Sequence, residues 1–141
     1  MPEPVIICLH QPALELAEKV ASLCDGEVHG LQSRVNTIPM TFEKTKEHLR
    51  DLFQKGHPLV GICSSGILIR SLADVLSDKH TEPPVLAVAE DGSCVIPLLG
   101  GHHGANDLAR KIASGLGAVA SVTTAGDLKF GIALDLSLIH I

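Results

Sequence analysis

The residues best suited to chemistry lie in one short stretch, Gly100 to Gly104, which we call the glycine–histidine loop. Either of its histidines, His102 or His103, could accept a proton near neutral pH as a general base. Its three glycines, Gly100, Gly101 and Gly104, lack a Cβ and therefore accept positive φ and a sharp turn. A helix that begins after the loop would direct its first amides at an anion, and Asn106 or Asp107 could cap them. The stretch therefore predicts a loop that binds an anionic ligand.

Small hydroxyl residues follow two other apolar runs. Ser64, Ser65 and Gly66 come after residues 58–63, and a second group, Thr123, Thr124 and Asp127, comes after residues 118–122. The carboxyl ends of parallel strands meet at one edge of a sheet, where ligands usually bind. We therefore expect both groups to converge with the glycine–histidine loop on one edge. Ser64 and Ser65 could equally do no more than cap the helix that follows them.

The apolar pattern predicts strands that alternate with helices. Strands are expected over residues 4–9, 27–31, 58–63, 85–89, 94–99 and 118–122, and helices over 12–24, 67–77 and 105–116, with one more that Thr41 caps and Gly56 ends. Asp91-Gly92 predicts a two-residue type I′ hairpin, and Glu90 and Asp91 are interpreted as its solvated tip. The expected fold class is α/β, a three-layer αβα sandwich with a mostly parallel, Rossmann-like sheet that includes one β-hairpin.

Composition excludes several classes of function. The chain has 141 residues, a formal net charge of −5 and only 2% aromatic residues, which argues against nucleic-acid binding. No apolar run approaches the length of a membrane span and no secretory signal is recognisable, so a soluble cytoplasmic protein is expected. The four cysteines are widely spaced, which indicates buried free thiols rather than disulfides or a zinc site. The histidines outside the glycine–histidine loop, His10 among them, are scattered.

Three segments are expected along the chain. Residues 1–57 form an N-terminal α/β segment, and residues 58–127 form the core. Residues 128–141 are interpreted as a truncated tail, because the last residues have no cap, turn or polar terminus.

Residues 58–127 also carry four ordered motifs. The first three are Gly-Ile-Leu-Ile-Arg at 66–70, the stretch from Lys79 to Val85, and Glu-Asp-Gly at 90–92. The fourth consists of the glycine–histidine loop with Asn106 and the strand end Thr-Thr-Ala-Gly-Asp at 123–127. Together they resemble the N-terminal region of CbiG-type cobalamin biosynthesis proteins, which include cobalt-precorrin-5A hydrolases. Gly100 replaces the serine usual in that family, and the loop is one glycine shorter. This shorter form is similar to the variant found in fusions with precorrin-3B methyltransferases.

The resemblance implies a reaction and its site. The family opens the δ-lactone of cobalt-precorrin-5A and releases acetaldehyde, with His102, or else His103, as the expected base. Arg70 and Lys79 would bind carboxylates of the tetrapyrrole. Cobalt would arrive inside the substrate, so neither a protein-bound metal nor another cofactor is expected. The other expected substrate-binding residues are Ser64, Ser65, Gly66, Gly100, Gly101, Gly104, Asn106, Thr123, Thr124 and Asp127.

Two other functions are weighed against this one. The domain could bind corrinoid intermediates without catalysis, in a fusion with precorrin-3B C17-methyltransferase. In either case the missing CbiG C-terminal domain or a methyltransferase domain is the expected partner, and the fragment alone is expected to be inactive. A generic nucleotide-binding domain is disfavoured, because neither a GxGxxG nor a GxxxxGK motif is present.

Overall fold

The computed structural model describes residues 2–77 and 81–123. Its strands are β1 (Val5–Cys8), β2 (Glu27–Leu31), β3 (Thr41–Phe42), β4 (Leu59–Ile62), β5 (Val85–Val88), β6 (Cys94–Leu99) and β7 (Val119–Ala120). Its α-helices are α1 (Leu14–Cys24), α2 (Thr45–Gln54), α3 (Ser65–Leu72) and α4 (Ala105–Leu116). Short 3-10 turns occupy Gln11–Ala13, Ala73–Val75 and Gly101–His103.

The seven strands form one sheet in the order β3-β2-β1-β4-β5-β6-β7. Strands β1 to β5 pair in parallel, whereas β6 pairs antiparallel to β5 and β7 runs parallel to β6. We call the end of the sheet at which β1, β4 and β5 finish the carboxyl edge, and the opposite end the amino edge. The chain leaves β1 toward β2 on one side and returns to β4 on the other, so the topological switch point lies between β1 and β4. The α/β, mostly parallel fold with one hairpin is confirmed.

Helices cover both faces of the sheet. Helices α1 and α4 pack on one face, against a cluster that includes Ile6 and Cys8 of β1. Helices α2 and α3 pack on the other face, against a cluster that includes Val5 and Ile7. This alternation follows from the two-residue period of a strand, and burial on both faces explains why β1 is apolar throughout.

The segments 1–57 and 58–127 share this sheet. Strand β1 pairs with β2 on one side and with β4 on the other. The first segment therefore contributes three strands to the same hydrophobic core as the second.

Two local predictions are wrong. Thr41 does not cap a helix, because it lies in β3, where Leu31 pairs with Phe42; Lys44 takes the N-cap position of α2. The hairpin is not a type I′ turn, because that turn needs positive φ at both central residues, and only Gly92 of the Asp91-Gly92 pair has it. The ladder ends at Val88 and Val95, and the Ala89 amide donates to the Cys94 carbonyl, so four residues form the loop.

A histidine pair joins β2 to α2. His29 is buried; its Nδ1 lies 2.8 Å from His48 Nε2, and its Nε2 lies 2.7 Å from Glu27 Oε1. His48 also stacks on Phe42, with ring centroids 4.5 Å apart. Burial, and then the neighbouring His29, lower the pKa of His48 below its usual value.

This lowered pKa predicts a pH dependence of stability. As pH falls through the unfolded-state value near 6.5, the unfolded chain takes up a proton at His48 that the folded chain still resists. The free energy of unfolding should therefore be lower at pH 5.5 than at pH 7.5. Urea unfolding followed by circular dichroism at both pH values measures this loss, which should be smaller in a His48→Gln variant. The His57→Gln control should lose as much stability between the two pH values as the wild type. A His48→Gln variant that also kept the whole loss would contradict the prediction.

Candidate functional site

The three loops predicted to converge do not meet at one edge, so that prediction is wrong. Ser64, Ser65 and Gly66 follow β4 and lie at the carboxyl edge. The glycine–histidine loop follows β6, whose last residue, Leu99, pairs with Val85, the first residue of β5. The loop therefore lies at the amino edge. The hairpin between β5 and β6 is the cause, because it reverses the direction of the chain before the loop begins.

Thr123 is exposed and lies three residues beyond β7. Strand β7 runs parallel to β6 but pairs only with Cys94 and Val95, at the carboxyl-edge end of β6, so the pairing does not extend to the glycine–histidine loop. Thr124, Asp127 and Lys79 lie outside the described residues. The group after β4, Ser64 to Gly66, and the glycine–histidine loop thus lie at opposite ends of the sheet.

The glycine–histidine loop packs closely against the backbone just before β5. Gly100 is buried with a φ of +81°, and a Cβ on it would lie 2.6 Å from the Pro83 carbonyl oxygen. Its own carbonyl accepts hydrogen bonds from the amides of His103, at 2.8 Å, and Ala105, at 3.2 Å. Only glycine fits this position, because the left-handed conformation and the close approach both exclude a side chain.

The loop leads directly into α4. Gly104, with a φ of +93°, is the N-cap residue of this helix. Asn106 and Asp107, the residues predicted to cap its first amides, lie in its first turn, and Asn106 is buried. His102 is exposed, and His103 is half-buried beside Pro2 and Pro84 in a shallow cleft. The loop presents one exposed imidazole next to a helix N-terminus.

The carboxyl edge carries a histidine–carboxylate pair that the sequence interpretation missed. His10 follows β1 and Glu90 follows β5, and Nε2 of His10 lies 2.6 Å from Oε2 of Glu90. Strand β4 lies between β1 and β5, so the pair bridges the sheet across the end of β4. The position of the two residues in the sequence could have indicated the pair, because each lies two residues after the end of a buried parallel strand.

Both partners of this pair have a fixed backbone. The His10 carbonyl accepts hydrogen bonds from the Ala13 amide at 3.0 Å and the Cys8 thiol at 3.3 Å, which anchors the turn before α1. In the hairpin loop, Asp91 accepts a hydrogen bond from the Ser93 amide at 3.0 Å, and hydrogen bonds from Ser93 lower the pKa of Asp91. Asp91 therefore stabilises the turn, while its neighbour Glu90 faces His10.

An open cleft separates the hairpin from the start of α3. Its walls include Glu90, Ala89, Ser64 and Ile67. The side chain of the N-cap residue Ser64 makes no capping hydrogen bond to the first amides of α3. A Cβ on Gly66 would lie 2.6 Å from Nη1 of Arg70, so this guanidinium folds back over the same first turn. Arg70 makes no ion pair within the described part of the chain.

Cys63 also borders this cleft, but it is not a nucleophile. Burial, and then the charge of Glu90, raise its pKa to about 12. Because the thiolate is the reactive form, a thiol with this pKa is inert near neutral pH.

The doubly wound sheet, with helices on both faces and a switch point between β1 and β4, defines the chain as a Rossmann-like α/β domain. Residues 47–127 match the family model described as Cobalamin synthesis G N-terminal. The chain therefore belongs to this family, which confirms the resemblance noted in its sequence.

Two curated relatives carry the name cobalt-precorrin-5A hydrolase. The one from Priestia megaterium is 40% identical over 89 residues, which cover 62% of this chain and 24% of the relative. The one from Salmonella typhimurium is 42% identical over 87 residues, which cover 61% of this chain and 25% of the relative. The chain thus spans about a quarter of the length of these relatives.

A solved structure shares the fold. It is a cobalamin biosynthesis protein G homolog from Sulfolobus solfataricus, with a TM-score of 0.63 and 21% identity. The superposition covers 89% of this chain and 39% of that one. Across residues 2–77 and 81–123, no helix is long and apolar enough to cross a membrane.

Proposed function

We propose that this chain forms part of a cobalt-precorrin-5A hydrolase and acts in the biosynthesis of the corrin ring of cobalamin. The observation that carries the proposal is its identity of 40% and 42%, over 89 and 87 residues, with two curated proteins of that name. The family match over residues 47–127 contains α3, the hairpin and the glycine–histidine loop. The alternative of a non-catalytic domain in a methyltransferase fusion is not favoured, because both relatives are named as hydrolases.

The substrate chemistry sets two requirements. Opening the δ-lactone requires a base that activates water and hydrogen-bond donors that stabilise the developing oxyanion. The peripheral carboxylates of the macrocycle require cations or helix N-termini. Each edge of the sheet offers an imidazole. His102 and His103 lie beside the start of α4, and His10 contacts Glu90, which borders the cleft at α3. Arg70 adds a cation at the carboxyl edge.

The chain is proposed to work as one part of a longer hydrolase, since its relatives are about four times the length that it matches. We expect the complete protein to release one acetaldehyde for each cobalt-precorrin-5A consumed, and residues 1–141 alone to release none. Coupled alcohol dehydrogenase detects acetaldehyde, and mass spectrometry follows the tetrapyrrole. Unchanged cobalt-precorrin-5A after incubation with the complete, folded protein would contradict the proposed function.

A further inference from the structure

We propose that His10, oriented by Glu90, is the general base that activates water for lactone opening, at the carboxyl edge of the sheet. This inference rests on the proposed function and names the site of its chemistry. Its geometric basis is the 2.6 Å contact between His10 Nε2 and Glu90 Oε2, made across the end of β4. The contact lies at the switch point, the crevice where open α/β sheets bind ligands.

The hydrogen bond determines which nitrogen of His10 can act. An ionised carboxylate only accepts hydrogen bonds, so Nε2 of His10 carries the proton that Glu90 accepts. The neutral ring then has its lone pair on Nδ1, which has no hydrogen-bond partner within the described residues. Glu90 thereby holds the tautomer and the ring orientation, and it stabilises the imidazolium that forms when Nδ1 takes a proton.

The start of α3 supplies the second requirement of the reaction. It lies in the same cleft as Glu90, and the side chain of its N-cap residue Ser64 makes no capping hydrogen bond to its first amides. These amides can donate hydrogen bonds to the oxyanion that develops on the lactone carbonyl. Arg70, folded over Gly66, can bind a neighbouring carboxylate of the macrocycle.

The step balances with one water molecule. His10 Nδ1 takes a proton from water while the water oxygen bonds to the acyl carbon of the lactone. The tetrahedral intermediate then collapses, the bond between the acyl carbon and the ring oxygen breaks, and His10 returns the proton to the leaving alkoxide. The products of this step are a carboxylic acid and an alcohol. Acetaldehyde leaves in a second step, in which the alcohol gives up its proton, the carbon–carbon bond to the macrocycle breaks, and the electron pair left on the macrocycle carbon takes up a proton.

The glycine–histidine loop cannot share this step. It lies at the amino edge, and the four residues of β4 separate the two edges by about 13 Å at a rise of about 3.3 Å per residue. His102 is therefore a competing base at another place and not a partner of His10.

Matched variants of the complete protein test the assignment. His10→Gln should lower kcat for acetaldehyde release by about 10²–10⁴-fold, which is the usual contribution of general base catalysis, and leave KM within about twofold. Glu90→Gln should lower kcat by at least about tenfold with KM unchanged, because Glu90 acts through His10. The control His57→Gln, at the amino edge, should keep wild-type kcat.

The possible outcomes separate the two proposals. Circular dichroism must show that each variant is folded, and His10→Asn replaces His10→Gln if the latter is not. Wild-type kcat in a folded His10 variant would contradict the assignment of His10 as the general base, but it would not contradict the hydrolase function. A large loss of kcat in His102→Gln, with little loss in His10→Gln, would contradict the assignment of His10 and would place the base at the amino edge. An inactive wild-type protein overturns the proposed function and the base together.

Discussion

Replacing Gly100 by alanine should destabilise the domain by about 3 kcal/mol, through backbone strain and overpacking together. Gly100 has a φ of +81°, a conformation that L side chains rarely adopt. The new Cβ would also lie 2.6 Å from the backbone of Pro83 and Pro84, which cannot move without disturbing the start of β5. Urea unfolding followed by circular dichroism measures the loss.

Gly104→Ala is the matched control for this change. Gly104 also has positive φ, at +93°, but among the described residues outside its own turn no atom lies within 4 Å of the position of a Cβ. Its substitution should therefore cost only the backbone strain, about 1 kcal/mol. Equal losses in the two variants would show that the loop is not packed against Pro83 and Pro84 as described.

Replacing Leu68 by alanine should cost about 2–5 kcal/mol, the usual range for a fully buried leucine. Leu68 lies on the inner face of α3 and is fully buried, and its side chain occupies the space that a Cβ on Gly61 of β4 would need. Its loss leaves a cavity between α3 and the sheet. The same unfolding experiment measures the change.

The neighbouring residue provides the control. Ile69 lies on the outer face of the same helix and is 53% exposed, so Ile69→Ala should cost less than about 1 kcal/mol. Similar losses in both variants would contradict the orientation of α3, and with it the position of Ser64 and Arg70 at the carboxyl edge.

Local pattern was sufficient to predict most of the fold. Short β-branched runs such as residues 4–9 and 85–89 became buried parallel strands, and helical spacing located α1 and α4 within a few residues. The two-residue strand β3 was missed, because Thr41-Phe42 is too short to show any period and gains its hydrogen bonds only from β2. The turn type was also missed, because Asp91 uses its side chain in the loop instead of adopting positive φ.

The arrangement of the site depends on long-range pairing that local pattern does not contain. His10 and Glu90 are 80 residues apart, and they meet only because β1, β4 and β5 are neighbours in the sheet. The glycine–histidine loop has a site-like composition, but the direction of β6 places it at the other edge. A predicted hairpin reverses the chain, so its presence already implied that the loop after β6 lies at the opposite end of the sheet from the loop after β4.

The position of the bound macrocycle tests the central claim most directly. Crystals of the complete protein with the His10→Gln change, grown with cobalt-precorrin-5A, should trap unreacted substrate, and the cobalt should give an anomalous scattering peak. We predict that the peak lies at the carboxyl edge, beside Ser64, Arg70 and Glu90. A peak beside His102 and His103 at the amino edge would contradict the account.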